Sequence, residues 1–153
     1  MELAQVKAGL KNTISEEVTA DKTAAAMGSG SLPVYATPAM TCLMEKAATE
    51  AVENLVPDGW TTVGISLHVA HTAATPAGLT VRAEAEVTAV EGRKIIFTVR
   101  AYDDKEEIGV GTHERFAVAQ EKFLCKAAAK VQHQISIIIA RQGFSNLALR
   151  YII

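Results

Sequence analysis

Residues 79–90 have the sequence LTVRAEAEVTAV, in which apolar and polar side chains alternate from Leu79 to Ala89. Strict alternation is typical of a β-strand with one buried face and one solvated face. The predicted buried face consists of Leu79, Val81, Ala83, Ala85, Val87 and Ala89. This segment therefore predicts a strand that covers a core with one side and meets water with the other.

The neighbouring segments repeat this pattern. Residues 91–93 (EGR) and 103–106 (DDKE) have turn compositions and separate three alternating runs. The predicted apolar positions after the first turn are Ile95, Phe97, Val99 and Ala101, and after the second Ile108, Val110, Phe116 and Val118. Upstream, the predicted common face consists of Val63, Ile65, Leu67, Val69 and His71. Short turns join antiparallel neighbours, so residues 60–118 predict an antiparallel meander.

A helix is predicted before the meander, from Thr37-Pro38 to Pro57. Threonine is a good N-cap residue, and proline is tolerated at the first helical position. The apolar stripe at helical spacing consists of Met40, Met44, Ala47, Ala51 and Leu55. Further upstream, residues 9–19 alternate weakly and predict an edge strand, and the small, Gly/Ser-rich residues 20–35 predict a connection or lid.

These elements predict an α+β fold. An antiparallel β-sheet wrapped around a central α-helix buries the helix stripe against the apolar face of the sheet. Such a sheet leaves exposed edges, which favour edge-to-edge pairing into a homodimer, and whether dimers pair into a tetramer stays open. The predicted domain covers residues 1–120. Residues 121–153 form a C-terminal extension of unknown role, for which an ordered helix or strand and a poorly ordered tail both stay open.

Composition excludes several classes of function. The net charge of -2 and the lack of a basic run argue against nucleic acid and anionic membranes as partners. No apolar run of about 18 residues occurs, so we expect neither membrane spanning nor secretion. Cys42 and Cys125 lie far apart in the sequence, so we expect reduced thiols in the cytoplasm and no zinc site.

Three residues are candidates for chemistry. His71 ends an apolar strand and begins the loop HTAATPAG, where a positioned acid or base is expected. Thr37 stands at the helix N-terminus, whose positive dipole end suits a developing oxyanion, although a hydroxyl at this position normally serves as a cap. Glu45 borders the apolar stripe two turns later, either as a rim residue or as a partnered carboxylate. Of the other histidines, His68 is expected on the solvated face, and His113 could line a pocket or simply pack.

Four segments together resemble the fluoroacetyl-CoA thioesterase-like family of hotdog proteins. They are VYATPAMTCLMEKAA (34–48), GISLHVAHTAATPAGLTV (64–81), VEGRKIIFTVRAYDD (90–104) and EIGVGTHERFAV (107–118). The resemblance runs from about residue 32 to residue 118, and HTAATPAGLTV and GTHER are its distinctive strings. It implies a hotdog fold and hydrolysis of a short acyl-CoA to the free acid and CoA.

The resemblance also implies roles for particular residues. The family's catalytic Thr, Glu and His lie in motifs that match ATPAM, LMEKA and HTAATP, which implies Thr37, Glu45 and His71 as catalytic residues. Gly64 and Arg115 match positions that contact substrate. No metal or redox cofactor is implied, because CoA arrives as part of the substrate. Which of the three catalytic groups is nucleophile and which is base stays open.

One feature departs from the family pattern. The fluoroacetyl-selective type has aromatic side chains just upstream of the catalytic threonine, whereas MGSGSLPVY offers only Tyr35. Another short acyl-CoA is therefore the expected substrate. Two other functions are compatible with a hotdog fold. One is an acyl-CoA dehydratase or hydratase, which would not need Thr37, and the other is a non-catalytic acyl-CoA-binding module.

Overall fold

The computed structural model describes residues 3–141, with the side chains of residues 3–131. Contacts divide the chain into two units, one up to Val118 and one from Ala119 onward. The second unit contains helix α3, Gln120–Arg141. The predicted extension at residues 121–153 falls in this unit, and its part after residue 141 lies outside the described residues.

Five strands form one sheet in the first unit. Their bounds are β1, Lys11–Glu17; β2, Trp60–His71; β3, Thr80–Glu91; β4, Lys94–Tyr102; and β5, Glu107–Ala119. Their order across the sheet is β1-β3-β4-β5-β2, and the pairs from β1 to β5 are antiparallel. The predicted antiparallel sheet is therefore confirmed. The predicted meander is wrong for β2, which borders β5 and not β3, because the connection of residues 72–79 is longer than a hairpin turn and crosses to the other side of the sheet. The strands β1 and β2 are its two borders.

One long helix packs against this sheet. Helix α2, Thr37–Val52, contacts β1, β2, β3 and β4, and a short 3-10 turn, Glu53–Leu55, follows it. Its buried side chains are Ala39, Met40, Leu43, Met44, Ala47, Ala48 and Val52. Removing a methionine-sized side chain from water contributes ~1.5–3 kcal/mol, so this stripe holds helix and sheet together. The predicted α+β arrangement is confirmed.

The start of α2 differs by one residue from the prediction. Ala36 is the N-cap, Thr37 is the first helical residue and Pro38 the second. The predicted capping role of Thr37 is wrong, because no side chain caps this helix. The Thr37 hydroxyl is therefore available for another contact. Upstream, the predicted connection contains a 3-10 turn, Ala20–Lys22, and the four-residue helix α1, Ala24–Met27.

Irregular pairing changes which side chains face the core. In β5 the register moves from Ala101↔Gly109 to Tyr102↔Glu107, so one extra residue is accommodated. An extra residue shifts the alternation by one and turns the following side chains to the other face. Beyond it the buried side chains are His113, Arg115 and Ala117. The prediction that Phe116 and Val118 face the core is wrong for this reason.

The burial pattern of β2 also departs from strict alternation. Thr62 is buried near the start of the strand, whereas Leu67 and Val69 pack against the core near its end. The predicted continuous face is wrong at Ile65, which is 52% exposed. In a regular strand, side chains an odd number of residues apart lie on opposite faces. In β2, Thr62 and Leu67 are both turned toward the core although five residues separate them.

Between residues 3 and 141, no helix combines the length and the apolar character needed to cross a membrane. The cytoplasmic location remains a prediction from the sequence.

Candidate active site

His71 and Thr37 are in contact. Thr37 Oγ1 lies 2.9 Å from His71 Nδ1. The first residue of α2 meets the last residue of β2 because the helix packs across that border of the sheet. In a neutral imidazole with its proton on Nε2, Nδ1 accepts the hydrogen bond from the hydroxyl. This pair has the geometry of a nucleophile beside its base.

The surroundings of His71 favour the neutral ring. Burial lowers the pKa of His71, because it disfavours the imidazolium, and the backbone carbonyl of Ala73 partly opposes this effect. His71 Nε2 is buried and has no hydrogen-bond partner among the residues that the structure describes. A histidine with a lowered pKa is unprotonated at neutral pH, which a general base requires.

A cavity of about 280 Å³ opens beside this pair. Its lining residues are Ala24, Ser29, Val34, Tyr35, Thr37, His71, Thr72, Ala73 and Ala74. Most of these side chains are small, and the N-terminus of α2 points its positive dipole end toward the same region. The cavity therefore combines room for a small group with an electrostatic preference for negative charge on an oxygen atom.

Glu45 belongs to a different cluster. Its Oε1 lies 3.6 Å from His113 Nε2 and 3.9 Å from Arg115 Nη1. A β-carbon on Gly64 would lie 2.5 Å from the same Oε1, so only a glycine leaves room for the carboxylate against β2. The Glu45 side chain is 43% exposed. It is a carboxylate with a buried cationic partner on one side and an accessible face on the other.

Arg115 and His113 form the buried floor of this second cluster. Arg115 Nε donates to Thr62 Oγ1 at 2.9 Å, and Nη2 donates to the Thr62 carbonyl at 2.8 Å. His113 Nδ1 lies 2.8 Å from the Ser66 carbonyl and therefore carries a proton, which leaves Nε2 to accept from Arg115 Nη1 at 3.2 Å. Burial lowers the pKa of His113, and the neighbouring guanidinium lowers it further. His113 is thus a neutral packing and hydrogen-bonding residue.

The five predicted site residues form two clusters within one chain. Thr37 and His71 form one cluster, and Glu45, Gly64 and Arg115 form the other. Eight residues separate Thr37 from Glu45 along α2, which corresponds to about 12 Å at the helical rise. The guanidinium of Arg115 already donates to Thr62, and its contact with substrate stays a prediction, as does that of Gly64.

Two residues near Thr37 were not predicted as part of the site. The Tyr35 hydroxyl donates to Glu16 Oε1 at 2.7 Å, and the Tyr35 ring meets His71 edge-on, with centroids 6.5 Å apart. A signal for Glu16 was present in the sequence, since this carboxylate shares a parity in β1 with Ile14 and Val18. A charged residue on an apolar parity needs a partner.

Metal chemistry was not expected. In the part of the chain that the structure describes, no three His, Cys, Asp or Glu side chains are grouped as a metal site. The expectation that no metal or redox cofactor takes part stays a prediction.

Comparisons with known proteins agree with this architecture. A curated relative, the fluoroacetyl-CoA thioesterase of Streptantibioticus cattleyicolor, is 45% identical over 97 residues, which cover 63% of this chain and 70% of the relative. A solved structure of a fluoroacetyl-CoA thioesterase is 38% identical, with a TM-score of 0.77 over 82% of this chain and 97% of the other. A hot-dog-like protein from Thermanaerovibrio acidaminovorans is 21% identical, with a TM-score of 0.78 over 85% of this chain and 97% of the other, which supports the fold alone.

The predicted hotdog fold is thus confirmed. A family model described as fluoroacetyl-CoA-specific thioesterase matches residues 18–121, which include both clusters. The chain therefore belongs to the fluoroacetyl-CoA-specific thioesterase family.

Proposed function

We propose that this protein hydrolyses short acyl-CoA thioesters to the free acid and CoA. The observation that carries the proposal is the contact between Thr37 Oγ1 and His71 Nδ1, at 2.9 Å beside a helix N-terminus. Membership of a thioesterase family supports the same reaction class.

The geometry favours a covalent route. The Thr37 hydroxyl attacks the thioester carbonyl and gives its proton to His71 Nδ1, while the carbonyl oxygen gains negative charge near the positive end of α2. The carbon–sulfur bond then breaks, and the CoA sulfur leaves with the proton from His71. A water molecule, deprotonated by the same imidazole, hydrolyses the acyl ester and regenerates the hydroxyl.

The acyl group is proposed to be short. The cavity of about 280 Å³ is lined mainly by small side chains, and residues 28–34 contribute no aromatic side chain to it. A fluoroacetyl group fits such a space, and the curated relative is named for that substrate. Small side chains without an aromatic residue from 28–34 give the cavity few contacts that would differ between fluorine and hydrogen. We therefore propose that acetyl-CoA and fluoroacetyl-CoA are hydrolysed at similar rates.

A thiol-release assay tests this function. Purified protein is incubated with acetyl-, fluoroacetyl-, propionyl- and butyryl-CoA, and free thiol is measured with a chromogenic disulfide reagent. We expect turnover of the two- and three-carbon esters, with acetyl and fluoroacetyl rates within about tenfold of each other. Folded protein that binds these esters calorimetrically but releases no thiol would contradict the proposal and favour a binding module.

We further propose that the active form is a homodimer that joins the two clusters. Strand β2 is a sheet border without a charged Asp, Glu, Lys or Arg residue, which suits it to pairing with another copy. Gly64, beside Glu45, lies in the middle of β2, and His71 is its last residue. Antiparallel pairing that sets His71 opposite the partner subunit's Gly64 brings the carboxylate of one protomer toward the Thr37–His71 pair of the other.

Subunit complementation tests the shared site. Thr37→Ala and Glu45→Gln homodimers should each lose activity, because each lacks one group in both sites. A heterodimer of the two variants, isolated through two different affinity tags, should keep one intact site and recover about half of the wild-type activity. The measurement is thiol release per dimer.

The matched control is a heterodimer of Thr37→Ala with His71→Ala. These residues lie in the same cluster, so both of its sites stay defective and no activity returns. If the Thr37→Ala/Glu45→Gln heterodimer is equally inactive, each site draws its residues from one chain. If the two tagged chains do not copurify at all, the dimer itself is disproved.

A further inference from the structure

A chain of polar contacts ends directly beside the Thr37–His71 pair. Lys22 Nζ donates to Glu16 Oε2 at 2.6 Å, and the Tyr35 hydroxyl donates to Glu16 Oε1 at 2.7 Å. Tyr35 is only 1% exposed, whereas Glu16 and Lys22 are about one quarter exposed at the side chain. The ion pair therefore lies near the surface and the phenol ring extends from it into the core.

The backbone of Tyr35 is tied as well. Its N–H donates to the Thr75 carbonyl at 2.8 Å, and the next N–H, that of Ala36, donates to the Lys22 carbonyl at 2.9 Å. Thr75 belongs to the loop that follows His71, and Ala36 is the N-cap of α2. Tyr35 thus connects the two segments that carry the catalytic pair.

The ring of Tyr35 contacts the imidazole itself. The two ring centroids are 6.5 Å apart and the ring planes are at 78°, an edge-on arrangement. His71 is therefore held by the Thr37 hydroxyl at Nδ1 and by an aromatic ring on another side. Phenylalanine would fill the same space, and burying a phenol hydroxyl is costly unless it has a partner. The carboxylate at Glu16 supplies that partner and fixes the orientation of the ring.

We propose that Tyr35 is a positioning residue for the Thr37–His71 pair, anchored through its hydroxyl to the Glu16–Lys22 ion pair. The proposal rests on the proposed function, in which this pair performs the chemistry. Tyr35 lines the cavity beside this pair, and it acts by fixing the orientation of the imidazole and by shielding it from water.

The ionisation of Tyr35 agrees with a positioning role. Burial raises the pKa of Tyr35 far above its usual value, and the hydrogen bond to Glu16 raises it further. The hydroxyl therefore stays protonated and remains a hydrogen-bond donor at every working pH. Tyr35 packs edge-on against His71, with Glu16 and Lys22 behind it and the Cys42 thiol near the phenol.

Tyr35→Phe and Glu16→Gln test the anchor. Without it the ring is free to tilt, and small misplacements of reacting groups are costly, so we expect kcat to fall ~10-fold while KM stays within about twofold. Looser packing also hydrates the imidazole, which raises the pKa of His71 toward its usual value. Since the neutral ring is the base, the acidic limb of the kcat profile should move to higher pH.

Tyr102→Phe is the matched control. Tyr102 is the last residue of β4, where its ring packs under the Arg82 guanidinium rather than beside His71. This variant should leave kcat and the acidic limb unchanged. The His71 ring is also titrated by NMR in each variant, because that readout does not depend on turnover.

A lower unfolding midpoint in Tyr35→Phe with unchanged kcat, unchanged acidic limb and unchanged His71 titration would overturn the proposal and leave a purely structural role. If the wild type releases no thiol, the proposed function fails, and the NMR titration still decides whether Tyr35 holds the imidazole.

Discussion

Replacing His71 with alanine should lower the rate of thiol release by ~10²- to 10⁴-fold, the usual contribution of a general base. Its Nδ1 is 2.9 Å from the Thr37 hydroxyl, so the variant leaves a nucleophile without a proton acceptor. The measurement is kcat on the best substrate of the acyl-CoA panel, with circular dichroism to establish that the variant is folded.

His68→Ala is the control for that experiment. His68 lies three residues earlier in the same strand, and its side chain is exposed within one protomer. The proposed β2 pairing uses the backbone at this position, so removing the imidazole should leave kcat within about twofold of the wild type. An equal loss in both variants would mean that β2 tolerates no substitution, and an equal activity would remove His71 from the mechanism.

The pH profile of the wild type provides a second check on His71. A base must be neutral to accept a proton, and burial lowers the pKa of His71 from its usual value of about 6.5. Activity should therefore persist as the pH falls through 6.5 and decline only at a more acidic pH. A decline that begins well above 6.5 would contradict the buried environment of this ring.

Gly111→Ala should cause the largest loss of stability. A β-carbon there would collide with the His68 carbonyl oxygen and lie 2.8 Å from Val69 Cα. Both are backbone atoms of β2, so the clash is relieved only if β2 moves away from β5. Overpacking of this kind costs about 3 kcal/mol, which is a large part of the stability of an ordinary domain. Urea unfolding followed by circular dichroism measures the change.

Gly64→Ala is the matched comparison. The nearest atoms to its β-carbon are Glu45 Oε1 at 2.5 Å and His113 Cε1 at 3.1 Å. The carboxylate is at the end of a flexible side chain and can swing away, so the free energy of unfolding should change by less than about 1 kcal/mol. Activity should nevertheless fall, because Glu45 is displaced. If both variants lose the same free energy of unfolding, a clash with backbone atoms at Gly111 is no more costly than a clash with a side chain at Gly64, which contradicts the prediction.

The regular parts of the fold could be predicted from the sequence. The run from Val81 to Val87 in β3 alternates regularly, although β3 shifts register just after it, between Val87 and Ala89. In α2, Met40 and Met44 follow helical spacing. Alternation stops being informative where a strand accommodates an extra residue. The shift near Ile108 leaves no compositional mark, and it turns Arg115 and its neighbours inward.

The site was predicted in part. Separate features of the sequence point to Thr37 and to His71, and the fold brings the two together, because the first residue of α2 contacts the last residue of β2. The separation of Glu45 follows from helix geometry, because eight residues are two turns and side chains two turns apart do not touch. Tyr35 stands outside any periodic run, so only the tertiary structure reveals that its hydroxyl reaches Glu16.

The two borders of the sheet differ in charge. β2 has no acidic or basic residue apart from its histidines, whereas β1 presents exposed Lys11 and Glu17. Charges on a strand that would have to lose water oppose further strand addition. In the proposed dimer the two β2 strands pair with each other, and the borders that remain free are the charged β1 strands. Further protomers are therefore not expected to add to the sheet. The difference in charge between the two borders therefore favours one strand pairing, the one proposed for β2, and opposes open-ended fibre formation through β1.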